Sequence, residues 1–196
     1  TLAMRLDNGV VLEEPTAIAL NAKKKEIVAI GKKAKALIGK SPENITAMHP
    51  LSNGVIADFD LTQAMLEYYI RKALPGVSLI APRVAISVPS NATDVENRAI
   101  QDACLQAGAR NVYLVEEILA AAYGANAIDN TGNGAMILSI GAGLTEIAIV
   151  SEYGVITSQT MPEGGSYIDH AIMDYVKSKF NLIIGEQTAE NIKIAI

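Results

Sequence analysis

The chain has 196 residues, half of them hydrophobic, and 21 acidic against 16 basic side chains give it a formal net charge of -5. Such apolar content buries one good core or two small ones and excludes a disordered chain, and the acidic balance excludes the broad basic field that nucleic-acid binding rests on. The single Cys104 has no disulfide partner, and there is neither an apolar run of roughly 18 to 20 residues nor a signal-peptide pattern, so a cytoplasmic, reducing setting is expected.

From the N-terminus, residues 10–12, 16–20 and 26–30 are β-rich stretches cut by Gly9, Pro15 and the solvated run Lys23-Lys24-Lys25, which predicts strands linked by tight turns. A short helix over 32–38 closes at Gly39. Residues 40–59 carry Pro42, Pro50 and Gly54 without sustained periodicity, which predicts a crossing loop and a short strand. Asp60-Leu61-Thr62 then starts a helix: Leu61, Met65, Leu66, Tyr69 and Ala73 recur at three and four residues, and Pro75-Gly76 ends it. Residues 83–88 form a buried-strand candidate. Thr93-Asp94-Val95-Glu96 has capping-box form and opens a helix that Gly108 stops, with Cys104 packed inside it.

A strand over 112–115, a helix over 116–126 and the polar break Asn130-Thr131-Gly132-Asn133 follow. Strands over 135–140, 145–151 and 155–161 are antiparallel by virtue of their short links, 141–144 and 152–154. A helix over 166–180 and the start of another around 188–194 complete the chain, which opens at Thr1 and stops at Ile196 in a helical pattern, as a fragment does. A domain boundary near residue 131 leaves related strand-and-helix orders on both sides, two mixed α/β lobes.

Chemistry concentrates at Gly141-Ala142-Gly143. Glycines between two apolar strands let backbone N–H groups approach phosphate oxygens closely, and an ordinary glycine-rich turn has the same appearance. Several segments around it carry a family resemblance: Gly54-Val55-Ile56-Ala57-Asp58-Phe59-Asp60, Pro82-Arg83-Val84, Val115-Glu116-Glu117, Ala120-Ala121-Ala122 and Gly185-Glu186-Gln187-Thr188-Ala189-Glu190. Together they resemble MreB, the bacterial rod-shape actin family, from end to end.

The resemblance implies an actin-like ATPase fold (α/β, ribonuclease H-like) with mixed sheets, whose two lobes grip ATP and Mg²⁺. Residues 1–130 would be lobe I, with 1–18 and 60–130 as subdomain IA and 19–59 as IB. Residues 131–196 would start lobe II, with 131–180 in IIA and 181–196 entering IIB. The first phosphate loop and the C-terminal part of the fold would lie outside the chain.

By the same resemblance Gly141, Ala142 and Gly143 match the second phosphate loop, with Ser139 and Leu144 at its edges. Glu117 matches the acidic residue that positions the attacking water, although a carboxylate opening a helix is also favoured by the dipole alone. Thr145 offers a hydroxyl to that water or is simply a strand former. Gly164 and Gly165 match a close backbone approach to the adenosine. Glu190 and Lys193, one turn apart, bracket ribose and base or form a surface ion pair. Leu79-Ile80 matches an apolar pair that dips into the membrane in related proteins, or is ordinary loop packing. His49 and His170 have no metal-ligand spacing.

Five positions depart from the family pattern: Ser139 stands for Asp, Ala142 for Gly, Leu144 for Thr, Ser166 for Asp and Ala195 for Glu. The function implied is an ATP-binding protein that polymerises into homopolymeric filaments on the inner face of the cytoplasmic membrane and guides the cell-wall elongation machinery. Because Ser139 lacks the carboxylate that orders hydrated Mg²⁺, a filament scaffold without turnover is the alternative.

Overall fold

The computed structural model describes residues 9–74, 76, 80–128 and 133–196, with the backbone alone of 2–5. The expected stops and breaks at Pro75 and at 130–132 lie outside the described residues, as does Leu79. The chain forms two compact units, residues 1–85 with 94–113 and residues 86–93 with 114–196.

In the first unit, β1 (Leu2–Arg5) and β2 (Gly9–Glu13) form an antiparallel pair. The neighbouring sheet has β3 (Ile18–Asn21) at its centre, between β4 (Glu26–Ile30) and β5 (Ile45–Met48), both antiparallel to it. Two further short strands, β6 (Leu51–Ser52) and β7 (Val55–Ile56), make a hairpin whose bend carries Asn53 and Gly54 at positive φ. Residues 40–59 therefore hold three strands where sequence periodicity predicts a loop and one. β5 earns its place by pairing with β3, and four residues are too few to display a period.

Helix α1 is a single turn (Lys32–Lys35) continued by tighter hydrogen-bonded turns to Ile38, so the expected seven-residue helix is shorter than its pattern. Helix α2 (Phe59–Ala73) begins one residue before its predicted start because the Asp58 Oδ1 accepts the Leu61 N–H at 3.0 Å. Its Met65 and Tyr69 pack on Leu12, Ile30 and Leu51, and the Tyr69 hydroxyl donates to the Pro15 carbonyl at 2.8 Å. Buried Thr62 donates to Asp58 O at 2.7 Å, which satisfies the hydroxyl inside the core. Helix α3 (Asp94–Gln106) starts where the capping-box pattern places it and is stopped by Gly108 at φ +103°. Cys104 is fully buried there and burial pushes its thiol pKa up, so it is a packing residue.

Strands β8 (Arg83–Val88) and β9 (Asn111–Glu116) pair, and the division between the units falls within both. The second unit continues with α4 (Glu117–Gly124) and the antiparallel sheet β10 (Ala135–Ile140), β11 (Thr145–Ser151) and β12 (Gly154–Met161). Ile118 and Ala122 of α4 bury against Ala148 and Val150 of β11, with Ala135 and Ile137 of β10 beside them. Helix α5 (Gly165–Phe180) ends on Asn181 in the left-handed conformation, and α6 (Glu186–Ala195) packs on it. Among the described residues no helix is long and apolar enough to cross a membrane.

Candidate functional site

The second unit collects Glu117, Ser139, the hairpin 141–144, Thr145, the glycine pair 164–165 and Lys193. The hairpin is closed by the Gly141 N–H donating to Leu144 O at 2.8 Å, directly beyond the paired residues Ile140 and Thr145. Its first two carbonyls are turned toward α5. Gly141 O accepts the Gly165 N–H at 2.9 Å and Ala142 O accepts the Ser166 N–H at 2.8 Å, so the hairpin caps amides that a helix start otherwise leaves without partners. Among the described residues, the N–H groups of Ala142 and Gly143 have no protein acceptor. These amides, carried on a loop whose carbonyls are already engaged, are the backbone donors that the candidate site leaves available to an anion.

Gly164 is required by space. A Cβ there would lie 2.6 Å from both the Gly141 and Ala142 carbonyl oxygens, a distance at which backbone must move. At Gly165 a Cβ would meet only the flexible end of Lys193, at 3.2 Å, so the two glycines are not equivalent. Thr145 is buried and donates its hydroxyl hydrogen to Glu163 O at 2.5 Å, which fixes the segment leading into the glycine pair and leaves the oxygen free only to accept.

Lys193 does more than share a face with Glu190. Its ammonium donates to Gly165 O at 3.0 Å and to the Asp169 Oδ2 at 2.8 Å, tying α6 to the first turn of α5. The Asp169 Oδ1 is equally close, at 2.8 Å, without hydrogen-bond geometry. Asp169 belongs to the site and is absent from the sequence-based candidates; the signal for it, a carboxylate one turn after the glycine pair, has meaning only once α6 is packed alongside.

Glu117 is the first residue of α4, and burial of its surroundings, followed by the nearby Glu146 carboxylate, holds its pKa above the ordinary carboxylate value. Glu146 is the second residue that sequence reasoning passes over. It lies on β11 opposite Ser139 of β10 and Thr160 of β12, with only 2% of its surface exposed. Ser139 is half-buried on the same face, so the position where the resemblance puts Asp looks directly at a carboxylate.

His49 and His170 each bond a backbone carbonyl through Nδ1, Thr16 O at 2.6 Å and Ser166 O at 2.7 Å, and among the described residues no group of three or more His, Cys, Asp or Glu suits a metal ion. In the other unit, Ile80 is 70% exposed and borders an open cleft of about 410 Å³ with Ile70, Leu74 and Pro82.

The sequence profile of the MreB/Mbl protein family matches residues 1–196. The chain belongs to this family. It is 44% identical over 190 residues to the cell shape-determining protein MreB of Haemophilus influenzae, covering 94% of this chain and 54% of that protein. Identity to the cell shape-determining protein Mbl of Bacillus subtilis is 40% over 188 residues, covering 96% and 56%. The chain thus spans little more than half the length of its MreB and Mbl relatives. The crystal structure of MreB5 of Spiroplasma citri bound to ADP superposes with a TM-score of 0.89 at 33% identity, covering 98% of this chain and 57% of that one. The AMPPNP-bound crystal structure of the same protein matches equally well, with TM-score 0.89. The double helical filament of MamK, 18% identical with a TM-score of 0.80, covers 98% of this chain and 60% of its own and shares the fold. The expected actin-like α/β fold is therefore the observed one.

The raised pKa makes Glu117 a testable group. A carboxyl whose folded pKa lies above its unfolded value favours the fold while protonated, and that contribution is lost as pH rises through the folded pKa. Glu117→Gln is therefore expected to stabilise the protein at neutral pH by a few tenths of a kcal/mol, reduced by solvent screening at this exposed position, and to change little in acid. Thermal melts at the two pH values check the sign.

Proposed function

We infer that this chain is the nucleotide-gripping part of an MreB-type cytoskeletal ATPase. The observation that carries the reading is the hairpin 141–144, whose carbonyls bind α5 while the amides of Ala142 and Gly143 stay open to an anion. Nucleotide-bound MreB5 supports ATP as the ligand, and 1–130 and 131–196 are then the two lobes.

Gly141, Ala142 and Gly143 hold phosphate oxygens through backbone N–H groups, flanked by Ser139 and Leu144. Gly164 and Gly165 pass close to the nucleoside, with Lys193 and Glu190 on its α6 side. Glu117 orients water toward the terminal phosphorus, with the Thr145 oxygen accepting from the same water. Mg²⁺, when bound, would neutralise phosphate charge, but Ser139, the residue at its expected place, is a neutral donor and a poor direct ligand for it. That misfit favours the second reading, a filament scaffold that binds nucleotide without turnover.

The full protein, on this reading, polymerises into filaments at the inner face of the cytoplasmic membrane, with the cell-wall elongation machinery as partner. Calorimetry of ATP-Mg²⁺ with the complete polypeptide, followed by pelleting and phosphate-release assays, tests it. Binding with pelleting and phosphate release supports the ATPase; binding and pelleting without release supports the scaffold; no binding sinks both.

For the membrane, Leu79 and Ile80 form the contact pair. Two apolar side chains bury little area, and filament avidity has to multiply the effect. Changing both to Ser is expected to abolish co-flotation of filaments with anionic vesicles, and unchanged flotation removes the membrane role of this pair.

A further inference from the structure

Glu146 is a buried carboxylate to which the phosphate grip assigns no work. Among the described residues it has no ion-pair partner, which makes its burial costly for the fold. What it does have are two donors to Oε1: the Ser90 N–H at 2.8 Å and the Thr160 hydroxyl at 3.3 Å. Ser90 lies in the loop after β8, and its own hydroxyl oxygen is buried without a hydrogen-bond partner among the described residues. Glu146 therefore touches that loop by a charge-assisted hydrogen bond. It also lies on the face of β11 on which α4 packs, two residues before the Ala148 that Ile118 and Ala122 bury against, and so faces the helix that Glu117 opens.

We propose that Glu146 is a positioning residue for Glu117: its oxygen anchors the loop after β8 at Ser90, and its side chain lies on the sheet face that carries the helix Glu117 opens. This rests on the reading in which Glu117 orients the attacking water. No other ionisable group on that sheet competes for the role, because β10 (AMILSI) and β12 (GVITSQTM) carry none and Glu146 is the only one on β11. On α4 the remaining ionisable side chain is Tyr123, and Glu116 precedes the helix. The loop 89–93 has no charged residue, Glu163 follows β12, and Lys193 is bonded to Asp169 and Gly165. The consequence is a carboxylate that adds to the burial raising the Glu117 pKa while it holds the loop after β8 at Ser90.

Two variants of the complete polypeptide separate the two actions. Glu146→Gln keeps an acceptor oxygen and loses the charge; Glu146→Ala loses both. Hydrogen–deuterium exchange of the peptide containing Ser90 is expected to be about tenfold faster in the Ala variant and unchanged in Gln. Single-turnover phosphate release is expected to fall roughly 10- to 100-fold in Ala through misplacement. In Gln, the acid limb of the release-versus-pH profile moves to lower pH, because removing a like charge lets Glu117 ionise earlier. A merely structural role leaves that limb in place. An unmoved limb in Gln, or unchanged Ser90 exchange in Ala, overturns the proposal. If the wild type releases no phosphate, the ATPase reading falls, and the exchange comparison alone decides whether Glu146 is an anchor.

Discussion

Ser139→Asp is expected to raise the rate of phosphate release with ATP-Mg²⁺ by tens- to hundreds-fold, the scale on which one well-placed electrostatic group acts in a water-poor site. The same change is expected to weaken the protein without nucleotide. Residue 139 sits opposite buried Glu146 in the β10–β11 register, and Glu117 is already held protonated to higher pH in part by Glu146. Like charges directly opposite on a sheet destabilise it, by about 1 kcal/mol or more where one is buried. A new carboxyl at 139 that faces a buried carboxylate binds its proton more tightly folded than unfolded, so the loss is largest at neutral and alkaline pH and shrinks as pH falls and the new carboxyl protonates. Melting with chelator across pH, beside turnover with Mg²⁺, reads both effects. An unchanged release rate counts against Ser139 as the missing element of the site, and an unchanged melt counts against the Ser139–Glu146 juxtaposition.

Gly164→Ala is expected to destabilise the protein by about 2 to 3 kcal/mol, the range for forcing an atom into filled space. For a chain of this size that lowers the melting temperature by roughly 5 to 10 °C. The Cβ meets two carbonyl oxygens that are themselves bonded to the start of α5, so relief of the clash detaches the hairpin from the helix. Nucleotide affinity is expected to drop more than about tenfold, since a disordered loop must be reordered on binding. Gly124→Ala is the matched control: a Cβ at the end of α4 meets nothing within 4 Å, and stability is expected to stay level or rise by up to about 1 kcal/mol. Equal melting temperatures for the two variants remove the steric account of Gly164. Calorimetric titration with ATP-Mg²⁺ supplies the affinity.

The success of sequence reasoning in this chain tracks how local the cause is. The strands of the β10–β12 meander and helices α2, α3 and α5 match their patterns within a few residues, because alternation and threefold-fourfold spacing record which face is buried. The stop at Gly108 is a property of one residue's backbone. Prediction is weaker over residues 40–59, where two- and four-residue strands exist only through pairing, and in α1, whose sequence favours more helix than its surroundings retain.

In the candidate site, the residue types and the hairpin spacing were visible in the sequence by itself, and so were the Ser139 departure and the family resemblance. The tertiary structure alone decided what those residues do to one another. It turned the hairpin carbonyls onto α5, made Gly164 a steric necessity and gave Lys193 to Asp169. It also set Glu146 opposite Ser139 and within electrostatic reach of Glu117. Hydrogen bonds and charge interactions depend on separation in space, and residues 24 to 56 apart in the chain, such as Asp169 with Lys193 and Ser90 with Glu146, become neighbours only when the sheet and its helices have packed.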